Sequence, residues 1–87
     1  MTRVMIPSQL TAYTGGATRV EARGETVAAV MGDLDRQFAG LRFRVIDEQG
    51  RIRKHMRIFV GQDRVQALDR PLAVGEEVLI FGALSGG

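Results

Sequence analysis

The sequence predicts an α+β fold in which one sheet of four to five strands wraps one main helix. A single run, from residue 25 to residue 41, places apolar side chains three and four residues apart, as one amphipathic helix does. On both sides of it lie short segments in which apolar and polar residues alternate, as in strands with one buried face. The elements do not repeat as strand–helix–strand units, so the sheet gathers on one helix. At 87 residues the chain is one domain. A domain of this size buries somewhat over ~60% of the surface its unfolded chain exposes. That makes one modest core, with no room for a deep substrate cleft.

From Thr2 to Pro7, Val4 and Ile6 face one way and Arg3 and Met5 the other, giving a first strand that Pro7 ends. Tyr13-Thr14-Gly15-Gly16 is a turn, because paired glycines reach positive φ without steric cost. Thr18 to Arg23, centred on Val20, returns as the second strand of a hairpin with a long loop. Gly24-Glu25-Thr26 opens the helix, with Glu25 or Thr26 as its cap. Val27, Val30, Met31, Leu34, Phe38 and Leu41 form its apolar stripe, and Gly40 is the expected C-cap.

Asp47-Glu48-Gln49-Gly50 is a polar turn. Ile52 to Val60 is expected to be a long strand, with Met56, Ile58 and Val60 opposed to His55, Arg57 and Phe59. Gly61-Gln62-Asp63 turns the chain, and Val65 to Leu68 is a candidate short strand. After a loop over Pro71 to Gly75, Glu77 to Phe81 is the last strand, with Val78 and Ile80 opposed to Leu79 and Phe81. Residues 1–81 are therefore expected to fold as the domain and residues 82–87 to form a flexible tail.

Composition narrows the chemistry. Without cysteine there is no disulfide, thiolate nucleophile or thiolate metal site. His55 is the only histidine, which excludes a multi-histidine metal cage and leaves it a surface strand residue. No catalytic residue and no metal site is assigned. No apolar run approaches the ~20 residues that cross a bilayer, and the N-terminus lacks a signal-peptide core, so a cytoplasmic domain without a membrane partner is expected.

The pI of about 9.9 comes from one segment. Residues 42–57 hold Arg42, Arg44, Arg51, Arg53, Lys54 and Arg57 against Asp47 and Glu48. Residues 58–87 are acidic on balance, with Asp63, Asp69, Glu76 and Glu77 against Arg64 and Arg70. The basic stretch reads as a docking patch for an acidic partner surface. It lacks the interleaved exposed aromatics that stack on bases, so no nucleic-acid partner is assigned.

Past the last strand the chain closes in Gly82-Ala83-Leu84-Ser85-Gly86-Gly87. A small sheet-and-helix domain with a protruding Gly-Gly resembles the ubiquitin-like β-grasp family, and within it the sulfur carriers of the MoaD/ThiS type. The likeness is spread along the chain. Its residues are Ile6-Pro7-Ser8, Tyr13-Thr14-Gly15-Gly16, Gly24-Glu25-Thr26-Val27, Asp47-Glu48 with Gly50, and His55. Ile58-Phe59-Val60, Pro71-Leu72, Gly75-Glu76-Glu77-Val78 and the closing Ala83-Leu84-Ser85-Gly86-Gly87 complete it. The Tyr-Thr-Gly-Gly turn and the Ile-Phe-Val strand look most like the CysO-like branch, whose carriers serve cysteine biosynthesis. Two positions depart from the family pattern, which often has asparagine at Gly61 and proline at Gly82.

The resemblance implies a mixed β-grasp sheet and a protein that is a co-substrate rather than an enzyme. Its Gly87 carboxylate, presented on Gly86, would be adenylated and converted to a thiocarboxylate. The tail suits that chemistry. A free α-carboxylate, with a pKa near ~3.5, is an anion at neutral pH and a poor electrophile. An acyl-adenylate is an anhydride that a sulfur nucleophile can attack. Leu84 to Gly87, fully extended, reach roughly 13 Å at ~3.3 Å per residue, and terminal glycines pass a narrow channel.

The resemblance also implies the partners. They are a ubiquitin-activating-type adenylating or sulfurtransferase enzyme, which consumes the ATP, and a sulfur acceptor. The acceptor is of the cysteine-synthase type or is the large subunit of a molybdopterin synthase, and the carrier itself binds no cofactor. Leu84 and Ser85 are expected partner contacts, as are Phe59, Leu79 and Phe81 on the outer face of their strands. In the family the position matching Phe81 belongs to the hydrophobic contact with the adenylating enzyme, and aromatic anchors in a polar rim are common hot spots. A one-residue error in strand phase would instead put Phe59 and Phe81 in the core. Three other readings stand beside the first: the small subunit of a molybdopterin synthase, a protein modifier joined to lysines through Gly87, and a basic nucleic-acid-binding module.

Overall fold

Val4 in β1 (Thr2–Met5) and Ile6 just after it are buried, while Arg3 stays in solvent, as the alternation requires. The computed structural model describes residues 1–83. β1 pairs antiparallel with β2 (Arg19–Ala22), which gives the expected hairpin. The loop between them is a 3-10 helix over Ser8–Thr14, closed by Gly15 in the left-handed conformation at φ 65°. It buries only Leu10 and Thr14, too few residues to draw a helical stripe in the sequence.

Helix α1 (Val27–Gln37) is capped by Thr26, whose hydroxyl accepts a hydrogen bond from the Ala29 amide at 3.1 Å. A side-chain oxygen there satisfies one of the donors that a helix start leaves free. Val27, Val30, Met31 and Leu34 are fully buried on the inner face of the sheet. The helix stops earlier than its stripe suggests. Phe38 is its C-cap, and Gly40, at φ 92°, starts a second short helix, α2 (Leu41–Val45), instead of closing the first. One Asp35 carboxylate oxygen accepts from the amides of Gly40 (3.1 Å) and Arg42 (3.2 Å) and holds the corner. The break buries Leu41, Val45 and Ile46 together.

Gly24 is needed for close approach. A Cβ there would lie 2.6 Å from the Val30 amide nitrogen and 2.8 Å from the Ala29 carbonyl carbon, and backbone atoms cannot swing aside. Gly24→Ala is therefore expected to cost about 1–3 kcal/mol in urea unfolding. Gly32→Ala, in open space within α1, should instead gain up to about 1 kcal/mol. Equal effects at the two sites would sink the packing argument.

β3 (Met56–Val60) is shorter than the strand expected over 52–60. Ile52 makes only an isolated bridge to Ile46. The Asp47 carboxylate accepts from the Gln49 and Arg51 amides, both at 2.9 Å, and these bonds with Arg51 nearby hold its pKa below the ordinary carboxylate value. The chain turns again where the Met56 amide donates to the Arg53 carbonyl. β4 (Asp63–Arg64) replaces the strand expected over 65–68. Beyond the buried Val65 the backbone leaves the sheet for the start of α1. There the Leu68 and Arg70 carbonyls accept from the Ala28 and Val27 amides at 2.8 and 3.0 Å. Free donors at a helix start thus divert a segment that could have paired as a strand.

Arg70 pins the following loop. Its guanidinium donates to Glu76 (3.1 Å), Asp63 (3.3 Å) and the Pro71 carbonyl (2.7 Å). The Ala73 amide and Arg70 together hold the Glu76 carboxyl below its ordinary value. The loop delivers β5 (Val78–Gly82) to the centre of the sheet, in the order β2-β1-β5-β3-β4. β5 runs parallel to β1 and antiparallel to β3, so the sheet is mixed. It reaches Gly82, the first residue of the segment expected to be tail.

Candidate functional site

The register of the three central strands builds one apolar band on the outer face of the sheet. Phe59 stands opposite Leu79, and Met5 of β1 pairs with Leu79 from the other side. Phe81 follows two residues along β5 and packs on Phe59 edge to face, with ring centroids 5.6 Å apart and an interplanar angle of 80°. Phe81 is 51% exposed, whereas Val78 and Ile80 of the same strand are buried. The core alternative for these phenylalanines is thereby removed: Phe59, Leu79 and Phe81 lie together on the outer face. Met5 completes the band, although the sequence reading did not include it. Its alternation with Val4 already set it outward, but only the parallel pairing of β1 with β5 brings it beside Leu79.

The tail starts from the edge of this band. The Gly82 carbonyl accepts from Gln9 Nε2 at 3.0 Å, and the Ala83 amide donates to the His55 carbonyl at 2.8 Å. The chain is thus held from two sides where it leaves β5. At Gly82, where the family often has proline, an added Cβ would come within 2.8 Å of the Gln9 side-chain nitrogen. Gln9 was not legible as part of the site, because the 3-10 helix that carries it has no strong sequence pattern. His55 is exposed and contributes its backbone carbonyl. Leu84, Ser85, Gly86 and Gly87 lie outside the described residues.

Charge borders the band. Arg57 stands opposite Phe81, and Arg64 opposite Phe59. On the β1 side, Arg3 pairs with Glu77 at 3.2 Å. Among the described residues, no three His, Cys, Asp or Glu side chains gather as a metal site, and no helix is long and apolar enough to cross a membrane. An apolar band with a charged rim is the make-up common to protein-binding surfaces.

The chain is 34% identical to the sulfur carrier protein CysO of Mycobacterium tuberculosis over 89 residues, spanning 97% of this chain and 96% of that protein. It belongs to the CysO family of sulfur carrier proteins. No protein-family model matches the chain. The crystal structure of Mycobacterium tuberculosis CysO superposes with a TM-score of 0.90 at 31% identity, over 97% of this chain and 100% of that one. A chain of the Amycolatopsis orientalis BexX/CysO complex superposes at 0.91 with 29% identity, over 100% of both. SAMP1 from Haloferax volcanii reaches 0.77 at 25% identity, over 99% of this chain and 98% of that one. The expected α+β, ubiquitin-like β-grasp fold is thus the fold of this small CysO-type carrier.

Proposed function

We propose that this CysO-type carrier holds sulfur as a thiocarboxylate on Gly87 and donates it in cysteine biosynthesis. The observation that supports this most is similarity to CysO over 97% of a chain that carries the Gly86-Gly87 pair. In the first step a Gly87 carboxylate oxygen attacks the α-phosphorus of ATP in the adenylating enzyme, and pyrophosphate leaves. In the second, hydrosulfide or an equivalent sulfur donor attacks the acyl carbon. The bond to the AMP oxygen breaks, AMP leaves, and a proton is released. The carrier supplies the acyl group and its presentation, and the partner supplies the chemistry. In this reading the reaction runs in the cytoplasm, with ATP consumed by the partner enzyme. The acceptor in this reading is of the cysteine-synthase type.

The band of Met5, Phe59, Leu79 and Phe81 is the docking surface in this reading. The Amycolatopsis orientalis CysO forms a complex with a second protein, BexX, which supports docking as a property of this fold. In a second reading the chain is a protein modifier joined to lysines through Gly87; its support is the likeness to SAMP1, which is named a small archaeal modifier protein.

The deciding measurement is intact mass after incubation with ATP, an adenylating enzyme and sulfide. The carrier should gain the mass difference between one sulfur and one oxygen. No gain, with the enzyme shown active on another carrier, overturns the proposal. Attachment to lysines with no thiocarboxylate form would establish the second reading instead.

A further inference from the structure

β4 pairs with β3 only at Asp63 and Arg64, and where the two segments part a groove of about 530 Å³ opens between residues 50–54 and 64–68. Five cationic side chains line it, Arg51, Arg53, Lys54, Arg57 and Arg64, over an apolar floor that includes Met56 and Val65. No aspartate or glutamate lines it. Arg51 has Asp47 at 3.6 Å, but the other four cations have no carboxylate within 4 Å among the described residues. Like charges so gathered repel one another and work against the compact state. A charge run that was merely solvated would not need Arg64, which the fold brings in from another segment.

Two of the guanidinium groups are held in place. Arg53 Nε donates to the Phe43 carbonyl at 2.7 Å, and its guanidinium lies 4.4 Å from the centre of the Phe43 ring. Arg57 donates to the Lys54 and Met56 carbonyls at 2.7 and 2.9 Å. A pre-oriented guanidinium fork loses little freedom when it binds a carboxylate, and it can do so through two parallel hydrogen bonds. The groove is also continuous with the apolar band, since Arg57 and Arg64 border Phe81 and Phe59. A protein that covers the band reaches the groove with an adjoining segment.

We infer that this groove receives an acidic segment of a protein partner, its Asp and Glu carboxylates bound by Arg53, Arg57 and Arg64. Nucleic acid fits less well, because no aromatic side chain lines the groove to stack on bases. The docking is independent of the sulfur chemistry and would stand even if Gly87 carried no thiocarboxylate.

The test uses the full isotope-labelled chain, titrated at low salt with a decaglutamate peptide and, separately, with a single-stranded oligonucleotide of equal charge. Peptide should shift the amide resonances of residues 50–57 and 64–68, and the oligonucleotide should bind no more tightly. The Lys54→Glu/Arg64→Glu variant should weaken peptide binding about tenfold or more, as loss of complementary charge does. Both side chains are exposed and make no hydrogen bond among the described residues, so the melting temperature should hold. Tighter oligonucleotide binding, shifts centred elsewhere, no binding, or an unchanged affinity in the variant would each overturn the inference.

Discussion

Removal of Gly87 is expected to abolish sulfur loading and leave the melting temperature where it is. The truncated chain still ends in a glycine carboxylate, but one set back by roughly 3.3–3.6 Å. A reacting atom displaced by even about 1 Å can cost ~100-fold in rate, so the shortened terminus should fail in the adenylating site. Stability has a different source. Among the described residues the core runs from Val4 to Ile80, and the last bond tying the chain to the sheet is made by the Ala83 amide. Intact mass after incubation with ATP, enzyme and sulfide reads the first effect, and a thermal melt reads the second. Normal loading of the truncated chain would mean that the reacting position is not fixed by tail length. A fall of several degrees in the melt would give the terminus a structural role.

The faces of β1, β3 and β5 were legible because each alternates over at least four residues. Val4 with Ile6, Met56 with Ile58 and Val60, and Val78 with Ile80 are all buried, which leaves Phe59 and Phe81 outward. What the sequence hid depends on contacts between distant segments. Nothing local says that Asp35 will reach the Gly40 and Arg42 amides and break the helix. Nothing local says that residues 66–70 will leave the sheet to meet the Ala28 and Val27 amides. The basic segment was visible in charge counts, yet the groove was not. It needs Arg64 from beyond β3, while Arg70, a few residues on, is taken up by Glu76 and Asp63. The site was legible in the same measure: the outward residues of single strands could be named, but Met5 and Gln9 join them only through sheet order and the 3-10 helix.

Phe81 and Ile80 are neighbours in β5, and truncating each should give opposite results. Phe81→Ala removes a half-exposed ring whose only aromatic partner among the described residues is Phe59. The stability lost should be near the worth of one aromatic pair, about 0.5–1.5 kcal/mol. In binding it should act as a hot spot, because the ring stands in an apolar band with a charged rim. A loss of about 2 kcal/mol corresponds to roughly 30-fold weaker affinity for the adenylating enzyme. Ile80→Ala empties a space in the core, and such truncations cost about 2–5 kcal/mol because the surroundings close only partly. The molecules that remain folded should bind the enzyme nearly as the parent does. Urea unfolding and titration calorimetry on both variants separate the two effects. If Phe81→Ala binds like the parent, the outer band is not the docking surface. If it loses as much stability as Ile80→Ala, the ring is a core group despite its exposure. The contrast between adjacent positions is a sharper test than either variant alone, since a general perturbation of β5 would move both measurements together.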